Sequence, residues 1–401
     1  MTKARTQTST EDGGAGAATP VTECRGCGSS RLSLVLDLGS QPASDHFPPL
    51  SDMAPDPCWP LALTMCADCS LVQLDHISPA PQEPLAVESA TLQRHAVEAS
   101  GRVLQRLGLG AGTTVREFAS HHGGSWLPAL LDAGCVDATR VERAAGEATR
   151  VPAQLVVDNQ SIIHAEELEP ELAKRVEALA HDGLLVIEFH HALKQLVQGQ
   201  FDTVRHGHPL YFSLTSWSRA CERHGLRVVD AWTEDVFGGC LVVAARRADA
   251  AGPPSSDVTD ILQQEREGGA VDEEGYRALD RLARSTVAQF VQHLRRAREE
   301  GVRVAAYGAG SKACTLLGVS GVGPDLLPMV ADLSPAKHGR RIPGVGLPIV
   351  SPEDLVAAAP DEVMILTWDI ADEVIAQLRD MGLRDTRFFV PLPRLREVGV
   401  S

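Results

Sequence analysis

"GLLVIEFHHALKQLVQGQFDTVRHGHPLYF", residues 183–212, sets a nearly unbroken apolar run, Leu184 to Phe189, ahead of four histidines. A run of strand length rich in Leu, Ile and Val, entered through Gly183, predicts a strand buried on both faces, as in a parallel sheet. His190, His191, His206 and His208 follow it, at the end where open sheets bind ligands.

On both sides of this stretch the same alternation continues. "TTVREFAS" and "VPAQLVVDN" read as strands, "ELAKRVEALAHDG" as a helix closed by Gly183, "SWSRACERHGL" as a helix and "CLVVAARR" as a late strand, which together predict an α/β unit over 79–246. Residues 247–272, opening with "RADAAGPPSSD", have linker composition. A second α/β unit is expected over 273–401: Tyr276, Leu279, Ala283, Val287, Phe290 and Leu294 form one apolar helix stripe that should pack on a sheet, and "VRVAAYGAGSKA" reads as strand, glycine turn and helix start. Residues 1–20 lack an apolar period and read as a disordered tail.

The chain has 401 residues and a formal net charge of -16, a length that favours several domains and a charge that opposes nucleic acid binding. It has neither a membrane-length apolar run nor a signal-peptide core, so a cytoplasmic protein is expected, with no membrane partner. Composition leaves its oligomeric state open.

Cys24 and Cys27 form one CxxC, Cys66 and Cys69 another, with 38 residues between the pairs. Two such knuckles make the four-sulfur cage that structural Zn²⁺ prefers, and a small unit over 21–78 needs such a staple. Cys58 lies between them without a partner of matching spacing.

The order "CRGC", "LDLGSQPASDHF", "LTMCADCSLVQLDH", then the opening stretch, then "VAAYGAGSKACTLL" and "GPDLLPMVADLSPAKHGRRIPGVGLPIVSPEDL" resembles the three-part C-methyltransferases of deoxysugar biosynthesis, enzymes of secondary and antibiotic metabolism. The resemblance runs from about residue 21 to the end. It implies a zinc-binding N-terminal domain, a central class I methyltransferase Rossmann-like domain that binds S-adenosylmethionine, and a C-terminal Rossmann-like α/β domain that helps hold a nucleotide-linked 4-keto sugar. It also implies a base, mapping onto His208, that removes the C3 proton so that the enolate takes the methyl group. His191, His206 and Arg205 fall beside it as further catalytic candidates. Neutral histidine suits such a carbon acid, provided donors stabilise the enolate oxygen.

Carried over in the same way, Glu117, Ala119, Ser120 and Gly123 belong to the cofactor loop, Glu142 to the ribose contact, and Asn159 and His164 to a further cofactor stretch. Tyr211, Lys312, Lys337 and Arg340 become substrate-binding candidates, with Arg341 beside them. The family pattern is altered here: Ala119 replaces a loop glycine, His121 and His122 replace Asn and Asp, and Arg205 and Gly207 replace a tyrosine and a glutamate near the base. These changes keep three alternatives open. One is a repurposed isomerase, lyase or cyclase acting on a ketone, and another a non-catalytic binding protein. The third is a nicotinamide enzyme, since "YGAGSKA" and Asp332 also fit a dinucleotide fingerprint. Metal binding by the four histidines is disfavoured, because neighbours on an extended chain face opposite ways.

Overall fold

The computed structural model describes residues 16–83, 85, 87–118, 124–141 and 151–399. The N-terminal lobe contains β1 (Thr19–Pro20), β2 (Leu32–Pro42), β3 (Cys58–Cys66), β4 (Val72–Leu74) and β5 (His76–Ile77). β1 pairs antiparallel with β5, and the Trp59 indole N–H donates to Gly16 O at 3.0 Å. The expected disordered tail is therefore corrected: residues 16–20 are ordered against the lobe, and 1–15 lie outside the described residues.

The central unit comprises α1 (Ala90–Leu107), β6 (Thr114–Phe118), α2 (Leu127–Asp132), β7 (Val136–Val141), β8 (Ala153–Asn159), α3 (Leu168–Glu177), β9 (Leu179–His190), α4 (Ala192–Val197), β10 (Leu210–Tyr211), α5 (Leu214–Arg223), β11 (Leu226–Glu234) and β12 (Cys240–Arg247). Its sheet order is β11-β12-β9-β8-β6-β7, parallel from β9 to β7, with β11 and β12 antiparallel. The run Leu184–Phe189 is buried in β9, as its composition demands of a strand paired on both sides. Gly183 does not cap a helix. It lies inside β9, where a Cβ would sit 2.9 Å from Ala153 O, so close strand packing rather than helix termination requires the glycine there.

The segment expected to be a linker contains α6 (Ser256–Glu267), which packs on β11 and buries Val258, Ile261 and Glu265. Next come α7 (Glu273–Glu299), β13 (Val304–Tyr307), α8 (Ser311–Ser320), β14 (Val330–Ala331), β15 (Ile349–Val350), α9 (Pro352–Ala358), β16 (Glu362–Ile365), α10 (Ala371–Asp380), β17 (Arg387–Val390) and β18 (Arg396–Val398). The order is β15-β14-β13-β16-β17-β18, parallel apart from β18. The α7 stripe is buried as the 3.6-residue period requires, against β2 of the N-terminal lobe and α8.

The units thus interlock. One core joins Leu36 and Leu63 of the lobe to Leu279, Phe290 and Leu317, and β10 leaves the central unit to extend the lobe sheet, giving β10-β4-β3-β2. That excursion positions the segment carrying His206 and His208. Among the described residues no helix is long and apolar enough to cross a membrane.

Candidate active site and zinc centre

Tight turns bring each cysteine pair together: Gly28 N donates to Cys24 O and Ser70 N to Cys66 O. The four sulfurs lie within 4.8 Å of one another, with Cys24 to Cys69 at 3.4 Å and Cys27 to Cys66 at 3.6 Å. A tetrahedral zinc–thiolate site separates its sulfurs by about 3.8 Å, so the donor set fits Zn²⁺. With all four positions filled by protein, this is a structural centre. Exposed Cys58 stands apart from it.

Between the end of a 3₁₀ turn (Phe201–Thr203) and β10, His208 N donates to Arg205 O at 3.0 Å, closing a turn. Histidines 206 and 208 leave it in different directions. His206 faces the lobe, with Nε2 3.4 Å from Trp59 O and its ring edge-on to Trp59; burial lowers its basicity. It does not line the cavity. His208 lines a cavity of about 230 Å³ to which all three units contribute. The His164 ring packs edge-on against His208 at 4.7 Å, and His190 lies 5.7 Å from it.

Arg205 is buried at the junction of the three units. Its Nη1 reaches Asp45 of the lobe (3.0 and 3.1 Å) and donates to Ser311 Oγ at the start of α8 (2.6 Å), while Nη2 lies 2.5 Å from His208 Nε2. Gly207 has a packing reason: a Cβ there would lie 3.0 Å from the Gln82 amide.

His191 points away from the cavity. Its Nε2 meets Glu265 Oε1 at 2.8 Å in the core, tying the junction of β9 and α4 to α6. Its neighbour His190 faces the cavity instead, as alternation along an extended chain dictates. The four histidines therefore do not converge. Among the described residues the cysteines are the group whose ligand atoms do.

Across the cavity are the carboxyl ends of the parallel strands. Asn159, ending β8, lines it and donates to Gly124 O at 3.2 Å. Gly124 has φ +68°, and a Cβ there would lie 3.4 Å from Glu88 Oε1, so bare backbone faces the space. Glu117, ending β6, braces this loop from behind, accepting from Ser125 Oγ and Trp126 N, both at 2.6 Å; burial raises its pKa against those bonds. His164 is held under the His208 turn by Nδ1 contact with Gly207 O at 2.7 Å and does not line the cavity. Burial opposes charge on cavity-lining His95, yet Glu188, 2.7 Å away, outweighs it and raises the pKa. Ala119, Ser120, Gly123 and Glu142 lie outside the described residues. The bare Gly124 backbone at the strand ends, with carboxylate and amide groups around it, fits an S-adenosylmethionine site.

The C-terminal unit contributes Gly310, Ser311, Lys312 and Lys337. Lys312 Nζ is 2.8 Å from Asp369, and Lys337 Nζ donates to Ala309 O (2.9 Å) and Asp332 (3.1 Å). Asp332 also accepts from Ala309 N at 2.8 Å, so the acid expected to hold a dinucleotide ribose instead closes its own glycine loop. Arg340 donates to Phe47 O and Arg341 is paired with Asp56, each fastening the lobe. Tyr211 is a core residue whose OH accepts from Arg205 N at 3.2 Å. Neither Tyr211 nor Arg340 lines the cavity. Reading the sequence missed Asp45, Ser311, His95 and Glu88 and named His190 only as one of four histidines; "ASDHF" and "YGAGSKA" contain the first two, but nothing local marks them as neighbours.

A family model described as "Putative zinc binding domain" matches residues 24–82, and one for the C-methyltransferase C-terminal domain matches 235–393. C-methyltransferase NovU of Streptomyces niveus is 32% identical over 95% of this chain and 98% of that protein. Among solved structures, N-methyltransferase NodS from Bradyrhizobium japonicum WM9 (15% identity, 40% of this chain and 99% of that one, TM-score 0.30) and magnesium protoporphyrin IX methyltransferase ChlM from Synechocystis PCC 6803 (11%, 41% and 91%, 0.29) are similar over part of the chain; similarity at this level carries no functional argument. The relationship to NovU spans the zinc lobe, the central unit and the C-terminal unit alike, and the chain belongs to this C-methyltransferase family.

Proposed function

We propose that the protein is an S-adenosylmethionine-dependent C-methyltransferase acting at C3 of a nucleotide-activated 4-keto deoxysugar, with His208 as the base. The observation that carries this reading is the shared cavity: His208 stands on one wall, and the strand ends with the bare Gly124 backbone form the other. Bound there, the cofactor supplies an electrophilic methyl group. His208 takes the proton from the carbon beside the ketone, and the electron pair that bound it passes into the carbonyl. Phe47, Leu85, Leu92 and Phe237 line the cavity and keep bulk water from the resulting carbanion. Asn159 and Gly124 would hold the cofactor, together with the loop carrying Ala119, Ser120 and Gly123, and Glu142. Ser311, Lys312 and Lys337 face the sugar nucleotide from the C-terminal unit.

Calorimetric titration with S-adenosylmethionine tests the first half of the proposal. Saturable binding is expected, and no heat at millimolar ligand would remove cofactor use. Incubation with S-adenosylmethionine and a thymidine diphosphate-linked 4-keto-deoxyhexose tests the second. A product heavier by one methyl group on the sugar is expected; a rearranged product of unchanged mass would favour an isomerase on the same scaffold.

A further inference from the structure

We propose that Arg205 is the donor that stabilises the enolate oxygen, and that it reaches that oxygen by giving up its contact with His208, so that one movement prepares both the base and the anion stabiliser. The inference rests on the proton-abstraction reading above and adds a residue with a stated role to it.

A guanidinium only donates, so the ring nitrogen 2.5 Å from Arg205 Nη2 must be an acceptor: His208 Nε2 carries a lone pair and Nδ1 the proton. In this arrangement the lone pair needed for proton abstraction is engaged, and the adjacent cation opposes a positive charge on the ring. Nη1 is anchored independently by Asp45 and Ser311, so a small tilt of the planar guanidinium about that end carries Nη2 off His208 Nε2. The α-carbon and oxygen of a ketone are second neighbours, so a base nitrogen and a donor nitrogen standing side by side, as Nε2 and Nη2 do, can address both at once. A ketone seated there places its oxygen at Nη2 and its acidic carbon at Nε2. The C–H bond breaks, an N–H bond forms at Nε2, and the displaced pair becomes charge on an oxygen that accepts from Nη2–H. The cavity-lining lysines are paired with groups of their own unit, Lys312 with Asp369 and Lys337 with Asp332 and Ala309 O.

Among the described residues, the groups facing His208 include Arg205 on its own turn, His164 from the 3₁₀ segment after β8, and His190 at the end of β9. Asp45 of the lobe acts through Arg205. Replacing Arg205 by methionine removes the cation and leaves Asp45 unpaired, and both changes favour a protonated ring.

The test is solvent deuterium exchange at the α-carbon of a thymidine diphosphate-linked 4-keto-deoxyhexose, without S-adenosylmethionine, followed by mass spectrometry across pH. Wild type is expected to exchange. Arg205→Met should exchange roughly 10²- to 10³-fold more slowly, with the acid limb of its profile moved up by about one pH unit. Arg205→Lys should keep the limb and recover part of the rate. Exchange by Arg205→Met within threefold of wild type, with an unmoved limb, overturns the Arg205 assignment alone. No exchange by wild type removes the proton-abstraction reading and this inference with it. Nitrogen NMR of the substrate-free wild type, with the His208 signal identified by its loss in His208→Asn, needs no folded Arg205 variant: an Nδ1–H tautomer is expected, and an Nε2–H tautomer overturns the proposal.

Discussion

His206 and His208 leave one short turn for two different regions, and the comparison separates a histidine that fastens units from one that faces a reaction space. His206 meets the zinc lobe through Trp59 and sits away from the cavity. His208 borders the cavity and touches a cation anchored in the other two units. His191 and His190 divide in the same way, one into the core against Glu265 and one toward the cavity. A cluster of histidines in a sequence therefore overstates the chemistry, because half of this one serves to hold elements together.

The largest expected effect lies on the fastening side. Cys66→Ser removes one of four convergent thiolates, and because structural zinc binding is itself folding free energy, a loss of roughly 5 kcal/mol is expected. Metal analysis should find well under one zinc per chain, with an unfolding transition at much lower denaturant. Asp45 and Trp59 belong to the same lobe, so the supports of Arg205 and His206 should loosen together. Full zinc content and unchanged stability would break the comparison at its base.

The next contrast sets two buried histidines against each other. His208→Asn should lower turnover roughly 10³-fold, equivalent to about 4 kcal/mol of barrier, with only a small change in melting temperature. His191→Leu should do the reverse. It leaves a buried Glu265 carboxylate short of a partner and should cost roughly 3 kcal/mol of stability, moderated because Leu214 N and Thr215 N still donate to Glu265. Its turnover when folded should stay within about threefold of wild type, as expected of a residue outside the cavity. Turnover and urea midpoints measured on both variants decide the matter. A turnover defect in His191→Leu as deep as that in His208→Asn would mean that the two regions are not separable.

A smaller effect should appear with pH. Burial lowers the pKa of His206, so the unfolded chain binds the proton more readily. The stability this histidine contributes is fully present above about pH 6.5 and is lost as pH falls through its lowered value. His95 behaves oppositely. Glu188 outweighs burial and raises its pKa, so its contribution is present below about pH 6.5 and lost as pH rises through the raised value. Urea midpoints between about pH 5 and pH 8 should show His206→Phe flattening the acid side and His95→Gln the alkaline side, each by about 1 kcal/mol or less. Identical profiles in wild type and both variants would show that neither ring titrates on unfolding.

These assignments differ in how much of them the sequence reveals. The CxxC pairs were legible because each knuckle is built by neighbouring residues, and β9 because its composition reports burial on both faces. Alternation along the strand says that His190 and His191 part company, yet it leaves open which one meets the cavity. That choice depends on Glu265, 74 residues away in a segment with linker composition. Arg205 is harder still, because Asp45 and Ser311 lie 160 and 106 positions from it. Local pattern carries no information about such contacts; they are set by how β10 crosses to the lobe and how α8 packs beneath it.

Gly207, between the two histidines, gives the finest test of the comparison. Its lack of a side chain has a packing reason, since an added Cβ would lie 3.0 Å from Cδ and Oε1 of Gln82. Gln82 is exposed and its amide is the far end of a flexible chain, so it can withdraw by the few tenths of an ångström required. Gly207→Ala should therefore change stability by less than about 0.5 kcal/mol, the lost clearance being offset by reduced freedom of the unfolded chain. His206 and His208 should keep their separate surroundings, with turnover near that of wild type. A loss of more than about 2 kcal/mol, or a fall in turnover without one, would mean that the turn itself holds His208 in place and that the glycine serves the cavity as well as the packing around Gln82.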